Sequence, residues 1–268
     1  MKHLLSIVAW LLVVTSGCVV DEDGDALDDT MSEVLSNNRL SANRLSANRL
    51  SANKLSAVSL SGSALGTSEL VKTADGREVL AYIVSCALPA RTSVTVKYGG
   101  ASYMFPGSIG LAPGWATRAP TVSERRWVTA CLLARTNLYG VTVELSLRGP
   151  HPALAAGLTE TLGYTLVEGA FYGDLFDPAG PTWFACSAEL RDLDLALSTQ
   201  ELRACAVSTN GTTTQCGFTY TGKCTISDLG LAPACATITV PYASCLAGRT
   251  ASAPRYGEVI TVALKTGL

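Results

Sequence analysis

Histidine is almost missing: the 268 residues hold two, His3 and His151. His151 stands between Pro150 and Pro152, a context that reads as a rigid surface turn. That shortage excludes imidazole-rich metal sites, and no His-Glu-x-x-His pattern occurs. Charge is scarce too, with Asp, Glu, Lys and Arg at 16% and a formal net charge of −2. From residue 66 onward fifteen acids balance fifteen bases. A body so neutral lacks the concentrated basic face that nucleic-acid binding needs. The nucleophile elbow Gly-x-Ser-x-Gly is also absent; Pro106-Gly107-Ser108-Ile109-Gly110 lacks its first glycine. No glycine-rich phosphate loop opens a helix. No apolar run reaches the roughly 20 residues of a membrane-crossing helix.

The longest apolar run, Leu4 to Val14 interrupted by Ser6, has the length of a signal-peptide core and follows the basic start Lys2-His3. Thr15-Ser16-Gly17 then leads to Cys18. This resembles the lipobox of bacterial lipoproteins, with Thr15 where the pattern usually has leucine. The resemblance implies that residues 1–17 are a signal peptide and that Cys18 carries acyl chains, palmitate among them. Cysteine parity points the same way. Of nine cysteines, Cys18 set aside leaves eight: Cys86, Cys131, Cys186, Cys205, Cys216, Cys224, Cys235 and Cys245. An even set in an exported chain reads as four disulfides. Paired cysteines supply no thiolate for nucleophilic catalysis.

Residues 18–34 form an acidic spacer. Its Asp21-Glu22-Asp23-Gly24-Asp25-Ala26-Leu27-Asp28-Asp29 is similar to the calcium loop of thrombospondin type 3 repeats. Asp21, Asp23, Asp25 and Asp29 are thus candidate oxygen ligands for Ca²⁺, with Ala26 in place of the turn glycine. The bland alternative is a solvated spacer beside a membrane. Leucine then recurs at 35, 40, 45, 50, 55, 60 and 65, with Ser-Ala-Asn-Arg-Leu between. Five residues advance a helix by ~140° beyond one turn, so no helical face collects these leucines. In a strand they alternate between faces. The spacing is similar to pentapeptide-repeat proteins, but Asn43 and Arg44 do not match the residues those place before the leucine. Residues 35–65 therefore read as a tether, with a short β-helical cap on the body as the alternative.

Residues 66–268 read as one disulfide-stapled body, α+β leaning to all-β. Val79–Ser85, Thr92–Tyr98, Tyr139–Leu147, Thr182–Leu190, Thr212–Tyr220, Ala236–Tyr242 and Glu258–Lys265 have strand composition. Thr121 and Glu124 form a capping-box pattern that starts a helix running to Asn137, and Ser198 with Glu201 suggests a second. Gly110-Leu111-Ala112-Pro113 recurs as Gly230-Leu231-Ala232-Pro233, with cysteines at similar offsets, which suggests related halves at 79–150 and 182–268. Equivalent cysteines would then pair as Cys86–Cys131 and Cys205–Cys245. Cys216–Cys224 would close a hairpin turning near Thr221-Gly222-Lys223, leaving Cys186 for Cys235.

One chemistry survives these exclusions. Glu168 and Asp174 lie in a stretch rich in acids and aromatics, Glu168 to Asp177, and a glycosidase needs two carboxyls facing one bond. Trp115, Trp127, Trp183 and Tyr172 are the aromatics available to stack on a sugar. The stretches Trp127–Asn137 and Tyr139–Pro150, with Glu168–Phe176, resemble cell-surface lipoproteins of myxobacteria over about residues 79–245. That resemblance implies a surface location and carries no chemistry with it. The expectation is a lipid-anchored envelope protein at the outer membrane or cell surface. It is a non-catalytic module meeting a cell-wall glycan or another surface protein, with a carboxylate-dependent wall hydrolase as the alternative. No cofactor other than the calcium candidate is implied.

Overall fold

The computed structural model describes residues 40–265 except 141, 189–204, 207, 227–231 and 237–238, and shows an α+β fold. Cys18, Asp21, Asp23, Asp25 and Asp29 lie outside the described residues, as do Ser198 and Glu201.

The repeat is the first departure from expectation. After β1 (Leu40–Ser41) come α1 (Ala42–Asn53), a 3-10 turn (Lys54–Ala57), α2 (Gly62–Leu65), α3 (Glu69–Lys72) and α4 (Ala74–Ala87). Leu40, Leu45, Leu55, Leu60 and Leu65 are each at most 2% exposed within the main core, so this stretch is part of the body and no solvated tether. Leu70, one step further along the same spacing, is fully buried as well. Only Leu50 among these points outward, at 65% exposed. The ~140° step explains the alternation. On α1 it buries Ala42 and Leu45, exposes Ala47 and Leu50, and buries Ala52 again. Beyond Asn53 no continuous helix could bury the remaining leucines, and the chain breaks into short pieces that do. Hydroxyls restart it: Ser41, Ser61, Ser68 and Thr73 each accept a backbone N–H at a helix N-terminus.

Val79–Ser85, expected as a strand, lies inside α4. Its apolar run has the composition of a buried strand, and composition alone does not separate that from a helix buried nearly all round. Then follow β2 (Ser93–Tyr98) and β3 (Ala101–Pro106), a hairpin turning on Gly99 and Gly100 at φ 58° and 81°. A 3-10 turn (Pro113–Ala116) leads to α5 (Val122–Ala134). Here the expected capping box is complete, Thr121 and Glu124 each bonding the other's backbone N–H. β4 (Thr136–Asn137) pairs in parallel with β1.

The remaining elements build the sheet: β5 (Leu145–Arg148), α6 (Leu158–Gly163), β6 (Leu166–Asp174), β7 (Thr182–Ser187), β8 (Thr219–Lys223), the small ladder β9 (Cys245–Leu246) with β10 (Arg255–Tyr256), and β11 (Ile260–Leu264). Sheet order is β5-β11-β6-β7-β8, antiparallel except for β7 with β8. Side chains alternate between its faces. Phe171, Ala185, Ile260, Val262 and Leu264 join the helices in the main core. Ala170, Tyr172, Phe184 and Cys186 face a second, smaller core built with Cys224, Cys235, Cys245 and Tyr256. α1, α4 and α5 pack on one face of the sheet together with the Cys205–Cys216 loop, and the loops tied by Cys186–Cys224 and Cys235–Cys245 cover the other, where α6 also meets Ser146 and Arg148.

Four disulfides use all eight body cysteines. Cys86–Cys131 ties α4 to α5, as expected. The other three differ: Cys186–Cys224, Cys205–Cys216 and Cys235–Cys245. Thr221-Gly222-Lys223 is not a hairpin turn but lies within β8, which carries Cys224 away from Cys216 and alongside β7, where its N–H meets the Ser187 carbonyl. Nor do the suspected halves correspond. Cys86 and Cys131 sit on helices, whereas Cys205 sits in a bend and Cys245 on a strand, so the pairing of equivalent cysteines fails in the second half. The described part of the expected strand Ala236–Tyr242 is a series of bends without ladder pairing.

Candidate functional site

Glu168 and Asp174, the two carboxylates singled out from the sequence, both lie on β6 and are buried at 2% and 1% exposure. Six residues of strand separate their backbones by about 20 Å, whereas glycosidase carboxyls stand roughly 5–9.5 Å apart. They do not converge on a shared bond.

Asp174 has a different task. Gly173 before it adopts φ 148°, and a Cβ there would come within 2.4 Å of the Thr182 carbonyl oxygen. Arg125 on α5 donates to Asp174 Oδ2 from both Nη2, at 2.9 Å, and Nε, at 3.3 Å. Oδ1 accepts from the Phe176 N–H at 3.1 Å, and Leu175 N–H donates to Thr129 Oγ1 at 2.9 Å. Burial pushes the Asp174 carboxyl above its ordinary value, outweighing the downward pull of Arg125. The arrangement clasps the end of β6 to the start and middle of α5. Arg125 was not legible as its partner: the two are 49 residues apart, and nothing local joins them.

The aromatics are consumed by packing. Trp115 is fully buried, donates from Nε1 to the Val58 carbonyl, and meets Phe176 edge-on at 5.0 Å. Trp127 meets His151 edge-on at 5.1 Å. Trp183 is packed against Phe218 and covered by the Arg49 guanidinium at 5.4 Å. Tyr172 is fully buried, stacked on Phe184, its hydroxyl bonded to Thr221 Oγ1 and the Leu246 carbonyl. None of the four offers the open ring face that a sugar would need. His151 Nδ1 accepts from the Ala153 N–H at 3.1 Å, capping a 3-10 turn (Pro152–Leu154), and burial lowers its pKa.

Two bridges touch beneath the sheet. Cys186 Sγ lies 3.4 Å from Cys235 Sγ, and the sulfurs of Cys186, Cys235 and Cys245 lie within 4.8 Å of one another. Soft metals bind thiolate sulfur. Each of these sulfurs is spent in a covalent bridge, so the cluster serves as a staple of the smaller core.

What the sequence reading missed is an apolar surface. No residue of α6 is buried, and Leu158 and Leu162, one turn apart on it, are 77% and 68% exposed. Tyr139 is 59% exposed. Their signal in the sequence is a leucine pair at i and i+4 in Leu-Thr-Glu-Thr-Leu-Gly with no further apolar residue to extend the face.

No protein-family model matches the chain, and neither a curated protein nor a solved structure matches it. It is an α+β body whose five-stranded sheet carries the larger helices on one face and, on the other, a smaller core tied by Cys186–Cys224 and Cys235–Cys245.

Proposed function

We propose that this chain is an exported lipoprotein, held at the cell envelope by acyl groups on Cys18, whose body is a non-catalytic surface module. One observation carries the reading. All eight cysteines of the body are bridged to one another, so Cys18, the ninth in the sequence, stands outside that even set. Four disulfides suit an oxidising compartment outside the cytoplasm. Cys18 follows an apolar run of signal-peptide length, and acylation there gives stable anchoring when more than one chain is attached. The resemblance of the body to myxobacterial surface lipoproteins agrees with that address. The partner class is a cell-wall glycan or a second surface protein, met by the outside of a rigid, cross-linked body.

Labelling cells with a radioactive fatty acid tests the anchor. The wild-type chain takes up label, and Cys18→Ser yields soluble, unlabelled protein. Absence of label on the wild-type chain removes the lipoprotein reading.

A further inference from the structure

The first described residues, Leu40 and Ser41, lie at one identifiable pole of the body. β6 begins at Leu166, β11 finishes beside it at Leu264, and β5 begins at Leu145 opposite Leu264. These strand ends define one end of the sheet. α5 runs against β6, because Arg125 near its start and Thr129 at its middle reach Asp174 and Leu175, where β6 ends. The C-terminus of α5, and β4 directly after it, therefore lie where β6 begins. β4 holds β1 in register, Leu40 opposite Thr136. From there α1 runs the length of the sheet and delivers Asn53 to the carbonyls of Leu175 and Asp177 at the far end.

Three of the strongly exposed apolar residues lie at this same pole, whereas Met104 lies on β3 and Val122 opens α5 at the opposite end of the sheet. Tyr139 follows β4 by two positions, and α6, bearing Leu158 and Leu162, leads directly into the start of β6. Of the acids beside them, Glu144 is paired with Lys265 at 3.0 Å, and Glu160 accepts a hydrogen bond from the Ser146 hydroxyl. Leu50, the other strongly exposed leucine described above, lies away from the pole, next to Arg49, which covers Trp183 opposite Gly173.

We infer that this pole rests on the lipid bilayer, with Tyr139, Leu158 and Leu162 dipping into its interfacial region. The inference rests on the anchor reading. Residues 19–39 join Cys18 to Leu40, and a chain of that length spans at most about 75 Å even fully extended. The bilayer is thus within reach of the pole at which Leu40 lies, and tethering makes contact effectively intramolecular, so weak partitioning suffices. Leucine pairs on short helices and tyrosine at the headgroup level are the side chains that such an interface accepts.

The test uses the full acylated chain in phosphatidylethanolamine–phosphatidylglycerol vesicles whose acyl chains carry bromine, a tryptophan quencher. Leu162→Trp and Leu50→Trp are compared, each after subtraction of the wild-type tryptophan emission. The added emission at 162 is expected to fall at least twofold in brominated relative to unbrominated vesicles, and that at 50 to stay unchanged. Equal behaviour at the two positions overturns the inference. So does a blue-shifted emission at 162 without quenching, which places the leucines against a second copy or another protein. Flotation separates this failure from that of the anchor. A chain that floats with vesicles but shows no quenching refutes the contact alone, whereas one that does not float removes both.

Discussion

Leu45 and Leu50 occupy the last place of two identical pentapeptides, Ser41–Leu45 and Ser46–Leu50, yet one is 1% and the other 65% exposed. Nothing in the local sequence distinguishes them; the helix phase does. Leu45→Ala should cost about 2–5 kcal/mol through lost burial and a cavity, and Leu50→Ala should stay within about 0.5 kcal/mol. Urea unfolding of the two variants checks this, and equal costs would mean that α1 is phased differently. Asp174 teaches the same lesson in chemistry. An acid among glycines and aromatics was legible as unusual, but its meaning depends on Arg125, far away in sequence. Both side chains are largely withdrawn from water, at 13% and 2% exposure. Leaving one charge without its partner should cost about 3–5 kcal/mol, so Arg125→Met should destabilise strongly in thermal denaturation, and Arg125→Met with Asp174→Asn less than the sum of the two single changes.

Among the elements, the capped helix α5 and two strands are legible from local sequence, whereas the turn expected at Thr221-Gly222-Lys223 and the elements set by packing are not. The capping box fixes α5 from two residues, because reciprocal hydrogen bonds at a helix start need no distant partner. The hairpin strand around Ser93–Tyr98 and the closing strand Ile260–Leu264 were equally plain. α4 was mistaken for a strand because a side chain buried against β3, α1 and α5 leaves no polar stripe to betray a helical period. Thr121→Ala should cost about 1 kcal/mol. The cap also carries a pH signature. Burial raises the Glu124 carboxyl, but Arg118 and the Thr121 groups together bring it below its ordinary value. A carboxylate lowered in the folded state contributes stability above its unfolded pKa, near 4.3, and loses it as pH falls through the folded value. Stability measured from pH 7 down to pH 2 should therefore show an acid-side loss that is smaller in Glu124→Gln than in the parent.

For the whole molecule, parity of cysteines foretold four bridges and could not foretell their partners, since pairing follows the path of the chain in space. The bridge between α4 and α5 closes the longest loop, its cysteines 45 positions apart in sequence, against 10 for Cys235–Cys245. In the chain-entropy view these contribute roughly 4 and 3 kcal/mol. Replacing Cys86 and Cys131 together by serine should lower the melting temperature more than replacing Cys235 and Cys245. Peptide mapping under non-reducing conditions should recover Cys205 with Cys216, and a peptide joining Cys205 to Cys245 would contradict the assignment of these two cysteines to separate cores.

The leucine repeat has one more consequence, for how this chain can change its length. Tandem units that are identical in wording invite gain or loss of a whole unit without disturbing the reading frame or the local composition. Here each copy has been given its own address: Arg44 pairs with Asp75 and Glu78, Arg49 covers Trp183, and Asn53 clamps Leu175 and Asp177. Losing one unit would turn every later residue of α1 by ~140° and exchange the outward leucine for an inward one. Losing two would leave a rotation of only ~80° in the other sense. Lengths differing by ten residues should therefore be tolerated better than lengths differing by five, so an alphabet that looks freely extensible is in fact counted in pairs.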